Sequence, residues 1–198
     1  GVAFYETPVD SLLGLGEVAN TTTITLTNVQ VQIALLNDAG EPLIETNTFA
    51  SADILPPGAR SPFSALFTTP PPDWASYQVT VIRAQDVGAL ASAYVPISVR
   101  EAEGRLSGSQ FQVKGAIANV STGRIAESVH VIVTTYNAEG TVTGFRRSAL
   151  TPDMTNGGLL PGAETAFTLS LTAHEGVPDD FTVIALGRAA DRTTSGGS

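Results

Sequence analysis

Apolar and polar residues alternate along several stretches of this chain, and the stretches come in matching pairs. Val29, Val31, Ile33 and Leu35 fall on one side of a period of two, with Gln30, Gln32 and Ala34 on the other. One hundred residues on, Val129, Val131 and Val133 alternate with His130, Ile132 and Thr134. Phe63, Ala65 and Phe67 are echoed by Phe167, Leu169 and Leu171. A period of two is the mark of a strand, because successive side chains point to opposite faces of a sheet. The β-branched content of these runs suits a half-buried pleated surface. Opening strands are expected at Val2–Tyr5 and Tyr94–Val99. Closing strands are expected at Tyr77, Val79 and Val81, and at Phe181, Val183, Ile184 and Leu186. Thr22–Leu26 is expected to be either part of the same edge as the Val29 run or a separate short strand, and the phase change between Leu26 and Val29 predicts a bulge or turn near Thr27 and Asn28. No segment has a convincing helical period. Asp86–Ala93 has the best helix composition but is short and contains glycine, so it reads as a linker with at most one helical turn.

The pairing extends beyond the strands. Gly16-Glu17-Val18-Ala19-Asn20 returns as Gly115-Ala116-Ile117-Ala118-Asn119. Asn37-Asp38-Ala39-Gly40 returns as Asn137-Ala138-Glu139-Gly140, and Leu55-Pro56-Pro57-Gly58-Ala59 as Leu159-Leu160-Pro161-Gly162-Ala163. The offset grows from 99 at Gly16 to 104 at Pro57, and each step falls in a loop, where insertions are tolerated. Register held through so many landmarks predicts an internal duplication. The Asn-to-Gly segments read as hairpin turns, since Asn can bond its own backbone and Gly supplies positive φ. About seven short strands per copy, with turn signals between them, suggest an all-β chain of two tandem immunoglobulin-like antiparallel sandwiches. The expected boundaries are 1–88 and 94–192, with a flexible tail at 193–198.

Composition narrows the partners. The formal net charge is −9, Lys114 is the only lysine, and the arginines are dispersed. Without a basic stripe, neither nucleic acid nor an anionic membrane surface is an expected partner. There is no cysteine, which excludes disulfides, thiolate metal sites and cysteine nucleophiles. No apolar run approaches the ~20 residues of a membrane span. The chain opens on Gly-Val-Ala-Phe-Tyr without a signal stretch. The expectation is a cytoplasmic protein or one whose signal or lipid anchor precedes this sequence.

The order of Gly-x-Val/Ile-x-Asn, an alternating valine strand, an Asn turn with Gly, Leu-Pro-Gly and then Phe resembles the FxLYD family and related bacterial immunoglobulin-like or fibronectin-like modules. Ile33-Ala34-Leu35-Leu36-Asn37 and Val133-Thr134-Thr135-Tyr136-Asn137 occupy the place of the family's name motif. Both depart from it: Leu is kept only as Leu35 and Tyr only as Tyr136, and Asn replaces Asp in both copies. The resemblance implies a compact sandwich outside the cytoplasm, often lipid-anchored, and carries over no catalytic residue.

Candidate chemistry is sparse. His130 lies on the less apolar face of its strand, opposite Gln30 of the other copy, and His174 lies in a loop, so a shared metal site is not expected. Asp179-Asp180, and Asp153 with Asn156, lack the spaced oxygen pattern of a calcium loop. No Gly-x-Ser-x-Gly elbow, phosphate-cradling loop or aromatic-flanked carboxylate pair occurs. Asn20-Thr21-Thr22 and Asn119-Val120-Ser121 match the glycosylation pattern, but their equivalence predicts a shared structural role, each side chain bonding backbone at a strand end. The copies differ most at Pro70-Pro71-Pro72-Asp73-Trp74. Trp74 there either caps the core of the first copy or the junction, or offers an aromatic contact to a partner or a sugar face. The expectation is therefore a non-catalytic, cofactor-free structural or protein-interaction module of a bacterial surface or secreted protein, another surface protein being its partner. The alternative is a carbohydrate or small-molecule binding module using Trp74, Pro71, Pro72 and Asp73 with the inter-domain cleft.

Overall fold

The alternating runs form strands in the computed structural model, which describes residues 1–150 and 157–189. Seven strands precede the linker: β1 (Ala3–Glu6), β2 (Leu12–Ala19), β3 (Leu26–Leu36), β4 (Pro42–Phe49), β5 (Ile54–Leu55), β6 (Arg60–Phe67) and β7 (Ser76–Asp86). A 3-10 helix follows at Gly88–Ala93. Among the described residues seven strands come after it: β8 (Tyr94–Val95), β9 (Ile97–Ser107), β10 (Gln110–Asn119), β11 (Ser128–Tyr136), β12 (Val142–Leu150), β13 (Glu164–Leu171) and β14 (Asp180–Arg188). The tail at 193–198 and most of the loop holding Asp153 and Asn156 lie outside the described residues.

The chain forms two compact units. The first holds Gly1–Val87 with Thr134–Phe145 and Thr172–Phe181. The second holds Gly88–Val133 and Arg146–Leu171, and resumes at Thr182. In the first unit one antiparallel sheet runs β1-β2-β6. In another, β3 is central, with β4 and β5 along one edge and β7 along the other. Inward side chains of both sheets meet in one cluster: Leu12 and Val18 of β2, Phe63 and Phe67 of β6, and Val29, Val31, Ile33 and Leu35 of β3. Two sheets sharing one interior in this way make a sandwich-like layer pair. In the second unit β10 lies between β9 and β13. Val113, Ile117, Val129, Val131, Val133, Phe167, Leu169 and Leu171 are buried there.

The repeated residues explain themselves in this geometry. Gly16 pairs with Phe63 across β2 and β6, and Gly115 pairs with Phe167 across β10 and β13. A Cβ on Gly16 would lie 2.5 Å from the Phe63 ring, and one on Gly115 would lie 2.9 Å from that of Phe167. Each copy therefore spends a glycine to seat a buried phenylalanine flat on the neighbouring strand. The hairpin turns match as well. Gly40 (φ 78°) and Gly140 (φ 76°) are left-handed, and their amides donate to the carbonyls of Asn37 and Asn137 at 2.9 Å each.

Three expectations change. No strand covers Thr22–Ile24: β3 starts at Leu26, because the Asn20 side chain engages the backbone and hydroxyl groups of this segment. The predicted irregularity at Thr27 and Asn28 is present, with a register shift against β7 between Thr27 and Gln30 and Asn28 at φ 50°. The closing strand of the first copy, β7, is only partly inward: Val79 packs on the core, while Tyr77 is exposed by 43% and Val81 by 52% on a strand at the edge of its sheet. On β11 both faces are closed: Ile132 is fully buried, and Thr134 is 1% exposed beside the valine face.

Candidate functional site

The proline-rich loop places Trp74 at the edge of the first unit's core. Its amide donates to the Pro71 carbonyl at 3.5 Å, and Ala75 N donates to the Leu36 carbonyl at 2.8 Å. The indole is half-buried, packs on the core cluster, and meets the Phe4 ring at 5.4 Å and 50°. Phe4 in turn touches Tyr77 at 4.9 Å and Phe67 at 6.4 Å. Pro72 and Asp73 are exposed and Pro71 is half-buried. Of this loop, then, Trp74 is fixed by ring packing, while Pro72 and Asp73 face solvent.

A second cluster of polar and aromatic groups forms in the same unit, on the outer face of β2. Leu15, Tyr136 and Val142 make a buried apolar knot, with Tyr5, Leu13 and Phe145 packed against it. The Tyr136 hydroxyl donates to Glu17 Oε1 at 2.7 Å. Arg60 Nη1 lies 3.3 Å from the other oxygen of that carboxylate, whose side chain is 8% exposed. The carboxylate is thus satisfied on both oxygens, as a nearly buried charge requires. Tyr5 donates to the Val142 carbonyl at 3.0 Å, and its ring stacks on His174 at 4.4 Å and 17°. Burial, with the neighbouring Glu175 carboxylate as the second cause, pushes the Tyr5 phenol up to about 12. Glu175 sits at φ 68° and accepts from Asn137 Nδ2 at 2.9 Å. A phenol made harder to ionise is a poor proton donor and a poorer nucleophile at neutral pH. The chemistry of this cluster is hydrogen bonding between polar groups held by an apolar knot.

The two sequon asparagines do the same work. Asn20 is 2% exposed and Asn119 fully buried. Asn20 Nδ2 donates to the carbonyls of Ile24 (2.8 Å) and Leu55 (2.7 Å), and its Oδ1 accepts from Thr22 N at 3.0 Å. Asn119 Nδ2 donates to the carbonyls of Arg124 (2.7 Å) and Leu159 (2.8 Å), and its Oδ1 accepts from Ser121 N at 3.0 Å. Their backbones also match: Gly58 N and Gly162 N donate to the carbonyls of Asn20 and Asn119 at 2.8 Å each. Both N–H groups of each carboxamide are used internally, so neither offers a nitrogen to solvent chemistry.

Of the remaining candidates, Asp179 reaches the second cluster through its backbone amide. His130 is half-buried on β11. Asp179 and Asp180 are exposed; Asp179 N donates to the Tyr136 carbonyl at 2.9 Å, and Asp180 Oδ1 accepts from Phe181 N at 2.8 Å. Among the described residues no group of three or more histidine and carboxylate side chains is placed to hold a metal ion, and no helix is long and apolar enough to cross a membrane. The Tyr5, Glu17, Tyr136 and His174 cluster was not singled out from sequence. The signal for it lies in the repeat, where Leu13 and Leu15 stand against Gln112 and Lys114 of the second copy.

No family model matches the chain, and no curated protein matches it. Solved structures similar to it include a glycosyl hydrolase family 2 member from Bacteroides cellulosilyticus (8% identity, TM-score 0.30, covering 89% of this chain and 26% of that one). A β-glucuronidase from glycoside hydrolase family 2 is similar at 9% identity and TM-score 0.29, covering 90% and 22%. A Bacteroides uniformis β-glucuronidase is similar at 14% identity and TM-score 0.25, covering 82% and 21%. The chain spans about a quarter of the length of these proteins.

Proposed function

We propose that this chain is a non-catalytic structural or protein-interaction module, built from two tandem immunoglobulin-like sandwiches of the FxLYD type over 1–88 and 94–192, and that it works outside the cytoplasm in a bacterial surface or secreted protein. One observation carries the reading: the polar residues repeated between the copies are used up in backbone bonds, Asn20 and Asn119 above all. The unrepeated polar cluster at Tyr5, Glu17 and Tyr136 is likewise closed on itself. Residues committed in this way hold a shape, and a held shape with variable loops is what an interaction module supplies. The test is cell fractionation with surface shaving of cells that make the full gene product, followed by in-cell cross-linking. The expected result is protease-accessible protein outside the cytoplasm, cross-linked to a discrete surface protein. Protein confined to the cytoplasm would overturn the reading.

A second reading is favoured by the ring packing at the proline-rich loop. Trp74 and Tyr77 both touch Phe4, and Tyr77 keeps 43% of its surface exposed, so a partly open aromatic group lies beside exposed Pro72 and Asp73. Such a group suits the flat face of a sugar or another small ring compound. Trp74 is the only tryptophan, so its fluorescence reports this place alone. A saturable change with one class of glycan or metabolite, lost in Tyr77→Ala, supports the binding reading. A silent screen removes it.

A further inference from the structure

We infer that Arg124 is a linker clamp, a positioning residue that fastens the 3-10 turn Gly88–Ala93 within the second unit through two carbonyls at its exit. Its guanidinium donates from Nη1 to the Tyr94 carbonyl at 2.9 Å and from Nη2 to the Ser92 carbonyl. These carbonyls stand at the end of the turn, where backbone oxygens lack partners within it. A cationic fork is the side chain best shaped to take two of them at once. The turn has no buried residue of its own, so packing does not hold it.

Arg124 is itself held by the repeated frame. Its backbone carbonyl accepts from Asn119 Nδ2 at 2.7 Å and from Ser121 Oγ at 2.8 Å, while its amide donates to Ser121 Oγ at 3.2 Å. The clamp therefore runs from a buried asparagine, through one residue's backbone, to that residue's side chain and on to the linker. The first copy has the same asparagine frame: Asn20 Nδ2 holds the carbonyl of Ile24. At that place it carries an apolar side chain, 45% exposed, where the second copy carries arginine. The difference falls where a linker enters the second copy. Two further ties secure the same exit: Ala189 N donates to the Ala93 carbonyl at 2.9 Å, and the Arg188 guanidinium lies over the Tyr94 ring at 5.6 Å.

Hydrogen exchange of the full chain, read by mass spectrometry on a peptide spanning Val87–Val95, tests the clamp in Arg124→Ala and Arg124→Lys. A peptide from β10 serves as the internal reference. Losing two charge-assisted bonds on a turn without packing is expected to speed exchange there by about tenfold or more in Arg124→Ala. Arg124→Lys, a point charge without the fork, is expected to keep part of the protection. The β10 peptide should not change. Linker exchange unchanged in Arg124→Ala, or raised equally in the β10 peptide, would overturn the inference.

Discussion

Strands β2 and β10 occupy the same place in the two copies and differ chiefly on one face. Their inward residues match in kind at three of four places, Leu12, Gly16 and Val18 against Phe111, Gly115 and Ile117, while Gly14, where a Cβ would lie 2.9 Å from the Phe4 ring, stands against Val113. Their outward residues do not match. Leu13, Leu15 and Glu17 on β2 stand against Gln112, Lys114 and Ala116 on β10. Leu15 is 4% exposed under Tyr136 and Val142, whereas Lys114 is exposed to solvent. The inner face follows the fold, and the outer face follows what lies on it. A strand apolar on both faces announces a second covering layer, and in the first unit that layer exists.

Exchanging the outward residues breaks the comparison most strongly. Leu15→Lys places an unpaired ammonium in the apolar knot and should destabilise the chain by about 4 kcal/mol, read by chemical denaturation. Lys114→Leu, on an exposed face, should change stability by less than about 0.5 kcal/mol. Equal effects would mean that the two faces are not different environments. Next come the asparagines. Asn20→Ala and Asn119→Ala each leave two carbonyls and a backbone amide without their carboxamide partner, a cost of about 3 kcal/mol. The two costs should agree closely, and a large disparity would show that the copies have drifted in how they use the residue. Tyr136→Phe keeps the ring and removes the bond to Glu17, for a loss of about 1 kcal/mol.

The smallest effect is a pH dependence. A free tyrosine titrates near 10 and Tyr5 is pushed up to about 12, so between these values the folded chain holds a proton that the unfolded chain has lost. The stability Tyr5 contributes is therefore full below about pH 10 and is lost as pH rises towards 12. Tyrosinate absorbance should show a late-titrating group that disappears in Tyr5→Phe. A spectrum unchanged by that substitution contradicts the assignment.

What was legible in the sequence was local or repeated. Alternation placed Val129, Val131 and Val133 inward, the Asn-to-Gly segments in turns, and Phe63 and Phe167 in the interior. Equivalence showed that Asn20 and Asn119 are scaffold, because two copies rarely keep one polar residue at one strand end for two different reasons. What stayed hidden was non-local. Nothing near Tyr5 in the chain announces His174 or Val142. The burial of Ile132 and Thr134 is set by neighbours that period-two counting does not see. The exposure of Val81 follows from the edge position of β7, which depends on strand order and not on strand sequence. Trp74 was visible as the point of greatest difference between the copies; its ring contact with Phe4 was not.

The central claim is that one hydrogen-bonded frame is used twice, and the side-chain carboxamides of Asn20 and Asn119 report on it directly. Each NH2 group donates both hydrogens to backbone carbonyls, one of them buried in each case. Solvent exchange of the two assigned carboxamides, followed by NMR, should therefore be slow for both and similar in rate. Fast exchange at either one, at the rate of an exposed asparagine, would contradict the account.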